Sequence, residues 1–115
     1  MITKRGDVVL VQFPRSDQRQ WDRRPALVVQ ADGLASGLAQ VVLAMITTNL
    51  ARAGHPSRVL LPITSPAGAA SGLLSDSVIM TDNLATILDK AVYAVIGTLP
   101  DMADVDQSLR HTLAL

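Results

Sequence analysis

The side chains that could carry out catalysis in this chain are few, and their types exclude several common mechanisms. The sequence contains two histidines, no cysteine and no glutamate, so thiol chemistry and metal-dependent hydrolysis have few residues to use. The glycines are scattered among alanine and serine and form neither a phosphate-binding loop nor a dinucleotide-binding pattern. His55 lies in a Gly-His-Pro turn and His111 near the C-terminus, which is typical of surface histidines. We therefore expect no metal site and no cofactor.

Arg24 and Thr47 are the residues that a simple strand arrangement would bring together. Arg24 stands where a polar and charged segment, residues 14–24, enters a predicted strand, and Thr47 ends the next one. If these strands are antiparallel neighbours, the two residues lie at the same edge of the sheet. A guanidinium can bind a phosphate through two N–H groups, and a hydroxyl can bind a further oxygen, so such a site needs no metal. Both residue types are also common at ordinary strand ends.

The elements that must position this pair are short strands. Apolar or β-branched runs predict five of them, at residues 7–13, 25–30, 40–47, 58–63 and 77–81, and residues 85–88 and 91–97 give one or two more. Residues 7–13 are almost continuously apolar, which predicts a strand covered on both faces, as in a barrel or at a subunit interface. Residues 32–40 predict a helical turn or an irregular connection, and residues 64–72 a mobile loop rich in small residues.

The last part of the chain predicts a helix. Pro100 suits a first helical turn. Apolar residues then recur at helical spacing, at Met102, Val105, Leu109 and Leu113. Short strands followed by one terminal helix predict a mainly β fold, a small curled antiparallel sheet or barrel.

Length and composition limit the chain to one domain, residues 1–115. It has a mass of 12.2 kDa and is 49% hydrophobic and 17% charged, against roughly 25% charged in an ordinary soluble domain. This composition predicts apolar surface that a partner covers. The apolar runs are too short for a membrane span, and Asp7 interrupts any signal-peptide core. We expect a cytoplasmic protein without a membrane partner.

Charge is balanced overall but not along the chain. Ten basic and ten acidic residues give no net charge, yet the first 24 residues carry six basic and three acidic side chains. The remainder carries four basic and seven acidic ones. Eight of the ten bases are arginine, which suits planar contacts with phosphate and equally fits a codon bias.

Five segments, in order, resemble the MazF/PemK family of toxins from bacterial toxin–antitoxin modules. They are RGDVVLV at residues 5–11, RPALVVQ at residues 24–30, Ile46-Thr47, DSVI at residues 76–79 with Asp82-Asn83 and Thr86-Ile87 after it, and IGTL at residues 96–99. Each segment alone is unspecific, but their order and spacing span nearly the whole chain. The resemblance implies an SH3-like antiparallel barrel with a C-terminal helix, of the type shared by MazF and CcdB toxins.

The resemblance also implies a function. It predicts a sequence-specific, metal-independent endoribonuclease that cleaves single-stranded RNA by attack of a ribose 2′-OH. Arg24 and Thr47 match the family's catalytic arginine and threonine, and Asp82-Asn83 matches a step near the substrate. The resemblance further implies a homodimer, and an antitoxin whose extended C-terminal segment covers the RNA site. Operator DNA would be bound only through the antitoxin complex.

Two further residues are interpreted as RNA-binding, and two positions depart from the family pattern. Trp21 can stack a base or an antitoxin side chain, or only cap the barrel edge, and Arg23 can steer phosphate. Asp82 can accept hydrogen bonds from a base edge, or tie down a strand bend. Asp22 occupies a position where the family commonly has glycine, and Met80 one where some members have a second arginine.

Two functions without catalysis compete with this interpretation. The first is a gyrase-poisoning toxin of the CcdB type, which acts by binding protein. The second is an SH3-like peptide-binding module, for which three aromatic residues offer little groove surface.

Overall fold

A computed structural model of the chain describes residues 2–14 and 21–115, apart from the side chains of Phe13, Pro14 and Trp21. The strands of this part are β1 (Asp7–Pro14), β2 (Trp21–Val28), β3 (Gln40–Thr47), β4 (Arg58–Leu61), β5 (Ser77–Leu88) and β6 (Val92–Thr98). The helices are α1 (Pro66–Ala70) and α2 (Ala103–Leu113), and one 3₁₀ turn spans Asp89–Ala91.

The six described strands form one antiparallel sheet in the order β4-β5-β3-β2-β1-β6. The mainly β fold with a C-terminal helix is therefore confirmed. The sheet is open, however, because its edge strands β4 and β6 are not hydrogen-bonded to each other. The SH3-like barrel that the resemblance implied is therefore present as a sheet that does not close into a ring.

Both faces of the sheet are buried within the single chain. One core lies on the α2 side and comprises Val8, Leu27, Ala44, Ile46, Leu61, Ile79, Leu99 and Val105. The core on the opposite face, which we call the second core, comprises Val9, Val11, Ala26, Val28, Val41, Leu43, Met45 and Val92. Successive residues of a strand alternate between the two cores. This double burial explains the continuous apolar run of β1.

Strand β2 begins earlier than the sequence indicated. Its first residues were expected in a charged loop, but Trp21 pairs with Pro14 and Asp22 with Phe13 of β1. The apolar pattern missed them because they are polar. Pro25 consequently lies inside the strand. It is tolerated there because the β2–β3 ladder begins only at Ala26, so Pro25 is paired on one side alone.

Strand β5 is one element, where two strands were expected. Met45 pairs with Met80, but the preceding residue of β3, Ala44, pairs with Leu84. Residues 81–83 therefore have no partner on β3 and form a bulge, which redirects the strand without ending it. The first half of β5 pairs with both β4 and β3, whereas its second half pairs with β3 alone.

Residues 64–72 were expected to form a mobile loop, and this prediction is wrong. Ser65 accepts a hydrogen bond from the Gly68 N–H at 3.0 Å and starts α1, with Pro66 after it. The end of α1 packs against β6 through bare backbone. A Cβ on Gly97 would lie 2.3 Å from the Ala70 carbonyl oxygen. Gly54, by contrast, has no atom within 4 Å of such a Cβ.

Charged residues near the start of the chain connect it to helix α2 and to strand β6. Arg5 makes an ion pair of 2.6 Å with Asp106 of α2. Asp7 is buried, accepts hydrogen bonds from the Lys4 N–H at 2.8 Å and the Thr98 hydroxyl at 2.9 Å, and so joins β1 to β6. The first of the five recognised segments is thus structural.

The predicted terminal helix is confirmed, although it begins at Ala103 rather than near Pro100. The Asp101 carboxylate accepts the Ala103 N–H at 2.8 Å and so stabilises the helix start. Val105 is buried, and Met102 and Leu109 pack on the α2-side core, but Leu113 is exposed.

Candidate active site

The β2–β3 strand pair places Arg24 and Thr47 at the same end. Ala26 pairs with Met45 and Leu27 with Ala44. Continued by two residues, this register sets Arg24 opposite Thr47. Opposed residues of antiparallel strands point to the same face, which here is the face of the second core. The sequence prediction that these two residues share a sheet edge thus agrees with the register, while their catalytic role stays a prediction.

The Arg24 side chain is exposed and has an acidic neighbour. It is 64% exposed, and one of its guanidinium nitrogens lies 3.9 Å from the Asp22 carboxylate. Residues two apart on a strand share a face, so Asp22 borders the same surface. The exposure of the guanidinium means that an anion can reach it from solvent.

Thr47 begins a pair of tight turns. Its hydroxyl oxygen accepts the Asn49 N–H at 3.1 Å, and the Asn49 side-chain oxygen accepts the Ala51 N–H at 3.0 Å. These turns are built by the side chains themselves. The Thr47 hydroxyl uses its oxygen in this bond and keeps its proton for another acceptor. It can therefore donate to a phosphate oxygen.

An open pocket of about 220 Å³ adjoins Thr47. Its lining comprises Thr47, Asn49, Ala51, Arg52, Arg58 and Met80. Two arginines, an amide and a hydroxyl thus meet around one small space. Neither Arg52 nor Arg58 was expected at this site, because no local sequence pattern links these residues to Thr47.

Asp82 and Asn83 lie in the β5 bulge, and Asp82 is bound by an arginine. Arg58 Nε donates to Asp82 Oδ1 at 2.8 Å, and Nη2 donates to Oδ2 at 3.3 Å. The Arg58 side chain is 18% exposed and that of Asp82 40%. Asn83 is exposed. The structure therefore gives Asp82 a defined partner, and its remaining lone pairs face solvent or a ligand.

A cluster of hydroxyl groups lies behind the bulge. Thr81, which is fully buried, contacts Ser108 Oγ at 2.8 Å and Thr112 Oγ1 at 2.9 Å, both on α2. Its hydroxyl also donates to the Ser57 carbonyl at 2.8 Å, and Thr112 donates to Ser57 Oγ at 2.8 Å. Thr81 precedes Asp82, and Ser57 precedes Arg58. The hydroxyl cluster thus anchors both members of the ion pair to α2.

The other two predicted RNA-binding residues lie apart from this pocket or outside the described side chains. The Arg23 guanidinium lies 3.6 Å from the centre of the Tyr93 ring, and as the neighbour of Arg24 in β2 it points to the opposite face. The structure therefore does not bring Arg23 to the Arg24 surface. Trp21 starts β2, but its side chain is among those the structure does not describe.

Two kinds of site are not found in the described part of the chain. No group of three or more histidine or acidic side chains there is placed to hold a metal ion. No helix among residues 2–14 and 21–115 is long and apolar enough to cross a membrane.

Comparison with known proteins relates the whole chain to one family. A family model described as "PemK-like, MazF-like toxin of type II toxin-antitoxin system" matches residues 4–113. The chain is 34% identical over 119 residues to endoribonuclease MazF6 of Mycobacterium tuberculosis and, equally, to endoribonuclease MazF2 of Mycobacterium bovis. Each alignment covers 100% of this chain and 100% of the relative.

Solved structures show the same fold. A mycobacterial endoribonuclease in complex with its cognate antitoxin superimposes with a TM-score of 0.75 at 22% identity, covering 99% of this chain and 97% of that one. A MazE–MazF complex from Deinococcus radiodurans gives a TM-score of 0.76 at 19% identity, covering 100% and 99%. At these identities the structural likeness establishes the fold.

Proposed function

The chain belongs to the PemK-like, MazF-like toxins of type II toxin–antitoxin systems, and on this premise we propose that it is an endoribonuclease that cuts single-stranded RNA without a metal ion. The names of the relatives at 34% identity support the activity. The observation that supports the site assignment is the register of β2 and β3, in which Ala26 pairs with Met45; continued by two residues, this register would put Arg24 opposite Thr47. Because RNA is the substrate, the enzyme acts in the cytoplasm.

The proposed reaction uses the RNA's own nucleophile. The ribose 2′-oxygen forms a bond to the adjacent phosphorus, and the bond from phosphorus to the 5′-oxygen of the next nucleotide breaks. The proton lost from the 2′-OH balances the proton gained by the leaving 5′-oxygen. The products are a 2′,3′-cyclic phosphate and a 5′-OH. Negative charge grows on the non-bridging oxygens during this exchange, and fixed donors there lower the barrier.

Arg24 and Thr47 make different contacts with the phosphate that is cut. Two guanidinium N–H groups of Arg24 bind the phosphate oxygens that gain charge, and its 64% exposed side chain reaches substrate from solvent. Thr47, on the neighbouring strand β3, donates its hydroxyl proton to a phosphate oxygen. We assign Arg24 an electrostatic role, because a guanidinium offers several N–H donors to the phosphate oxygens.

The deciding experiment incubates the purified protein with a long RNA in the presence of EDTA and maps the new 5′ ends. We expect cuts at a short sequence, with 5′-OH termini. Deoxyribose at the cut site should abolish cleavage, because the nucleophile is then missing. Arg24→Ala should lower the rate by about 10² or more. Arg110→Ala, which removes an exposed arginine from α2, is the matched control and should cut normally.

The same experiment tests the competing functions. A chain that binds gyrase or peptides without cutting RNA would leave the RNA intact at every protein concentration. Full activity of Arg24→Ala would reject the assigned mechanism. Activity lost in EDTA and restored by Mg²⁺ would reject metal independence.

The partners follow from the same family premise. Related toxins have been solved with their antitoxins, and we infer that this chain likewise binds a cognate antitoxin through an extended C-terminal segment that competes with RNA. The exposed Arg24 favours an acidic segment. Operator DNA is bound only through that complex.

We also propose that the working form is a homodimer. An apolar cleft of about 430 Å³ lies on the outside of the sheet, and Leu74 in its lining is 95% exposed. Pro25 and Thr48 also line this cleft, and each adjoins a proposed catalytic residue. A second copy seated in the cleft would cover this exposed apolar patch. Because Pro25 and Arg24 are neighbours in β2 and point to opposite faces, the copy would lie on the side of β2 away from Arg24.

A further inference from the structure

The pocket beside Thr47 combines small size with basic charge. Its volume of about 220 Å³ is below the roughly 300–1,000 Å³ of pockets that enclose drug-sized ligands. Two of its six lining residues are arginines and none is acidic. The Asp82 carboxylate is bound to Arg58. With two guanidinium groups against one carboxylate, the pocket keeps an excess positive charge.

Arg58 is held in a fixed orientation. Asp82 binds its Nε and Nη2 from one side, at 2.8 and 3.3 Å, and the side chain is only 18% exposed. The Nη1 amino group is not used by Asp82. Behind the pair, the hydroxyl cluster of Ser57, Thr81, Ser108 and Thr112 fixes the backbone that carries both residues. Because the Arg58 side chain is already held in one orientation, it loses little side-chain entropy when it binds an anion.

Arg52 supplies the second charge from the turn after β3. The turn is shaped by the bond from the Asn49 side chain to the Ala51 N–H, and the Arg52 carbonyl accepts the His55 N–H at 3.0 Å. Among the described residues no carboxylate lies within ion-pair distance of Arg52. Its charge is therefore uncompensated at the pocket.

We propose that this pocket is a second phosphate subsite, which binds the RNA phosphate next to the one that is cut, with Arg52 and Arg58 as its cations. The proposal rests on the proposed RNA cleavage, because Thr47 belongs to both sites. Arg24 and Thr47 hold the scissile phosphate, and the chain of the RNA continues past Thr47 into the pocket. The subsite fixes the position of the RNA strand relative to Arg24 and Thr47 and takes no part in the bond-breaking step.

The test measures binding of an RNA that carries deoxyribose at the cut site, over a range of salt concentrations. For a single strand, each phosphate contact contributes about 0.7 to the slope of log K against log salt. Arg52→Ala should lower this slope by about 0.7 and weaken binding about tenfold at low salt. Arg52→Lys keeps the charge and should keep the slope. Arg110→Ala is the control and should match the unaltered protein.

Cleavage of normal RNA gives the second readout. Arg52→Ala should raise KM about tenfold and leave kcat within about twofold, because the subsite binds ground state and transition state alike. An unchanged KM and an unchanged salt slope in Arg52→Ala would overturn the subsite. If the unaltered protein cuts RNA in that case, the proposed function stands and only this inference fails. If the unaltered protein cuts no RNA, the proposed function fails first.

A neutral methylphosphonate placed at one linkage at a time separates phosphate from base recognition. At the linkage beside the cut, it should weaken binding by the unaltered protein about tenfold and weaken binding by Arg52→Ala less, because only Arg58 then binds that phosphate. A loss in Arg52→Ala that follows the identity of a base rather than a linkage would show that the pocket reads a base, and would overturn the phosphate assignment. Melting curves of each variant confirm that it is folded.

Discussion

At the scale of single residues, the site depends on how two exposed charges share one strand face. Arg24 and Asp22 lie two apart in β2, and their charged atoms are 3.9 Å apart. A carboxylate beside a phosphate-binding arginine can either orient that arginine or repel the phosphate. The exposed fraction decides between the two, since water screens a loose pair of this kind and leaves it little orienting strength.

We therefore expect Asp22→Asn to improve RNA binding. Removal of the carboxylate should lower KM severalfold and leave kcat within about twofold, because the repulsion between Asp22 and the phosphate disappears. The measurement is steady-state cleavage at low and high salt, and the gain should shrink as salt screens the charge. Asp104→Asn removes an exposed carboxylate from α2 and should change neither constant. A tenfold drop in kcat for Asp22→Asn would show instead that Asp22 orients Arg24.

At the scale of elements, the bulge of β5 connects α2 to the site. The three residues that do not pair with β3 include Thr81, which is buried among hydroxyls, and Asp82, which faces out to Arg58. Because adjacent residues of an extended chain point to opposite sides, Thr81 can face the hydroxyl groups of α2 while Asp82 faces Arg58. Helix α2 thereby stabilises a site it does not line.

Thr81→Val should lower the free energy of unfolding by about 1–3 kcal/mol. Valine matches the shape of threonine but leaves buried hydroxyls and the Ser57 carbonyl without their partner. Urea unfolding followed by circular dichroism measures the change. Thr86→Val, an exposed threonine on the same strand, is the matched control and should stay within about 0.5 kcal/mol. Equal stability of the two variants would mean that the hydroxyl cluster contributes nothing net.

Gly97→Ala should destabilise the fold by about 2–3 kcal/mol. The added Cβ would lie 2.3 Å from both the Ala70 carbonyl oxygen and the Ser71 carbonyl carbon, and backbone atoms move only if α1 separates from β6. Gly54→Ala places the same methyl group in open space and should be nearly neutral. Thermal melting of the two variants decides the matter, and a Gly97→Ala melting temperature equal to that of Gly54→Ala would contradict this packing.

At the scale of the whole molecule, burial of both sheet faces leaves the outer apolar cleft as the surface for assembly. Light scattering at micromolar concentration should report about twice 12.2 kDa. Leu74→Asp should produce a monomer, because it puts a charge into the cleft where Leu74 is now 95% exposed. Leu34→Asp, at a 54% exposed leucine outside the cleft lining, should remain a dimer. A monomer that cuts RNA at full rate would reject a dimeric site.

The sequence by itself determined the features that depend on local pattern. Strand β3 has the predicted bounds at Gln40 and Thr47, and the apolar face of α2 was visible from its spacing. The placement of Arg24 and Thr47 at one end of a strand pair also followed, since it needs only that neighbouring strands run antiparallel. The order and spacing of five segments identified the family.

Only the tertiary structure decided what depends on distant residues. Arg58 and Asp82 are 24 positions apart, and they meet because β4 pairs with the first half of β5: Arg58 lies opposite Met80, and Asp82 is two residues further along β5. A bulge shifts the pairing register of a strand. The residues that form the β5 bulge carry no distinctive apolar pattern, so the local sequence does not predict it. The early start of β2, the docking of α1 and the open edges of the sheet likewise depend on pairing between strands, which is set by long-range packing.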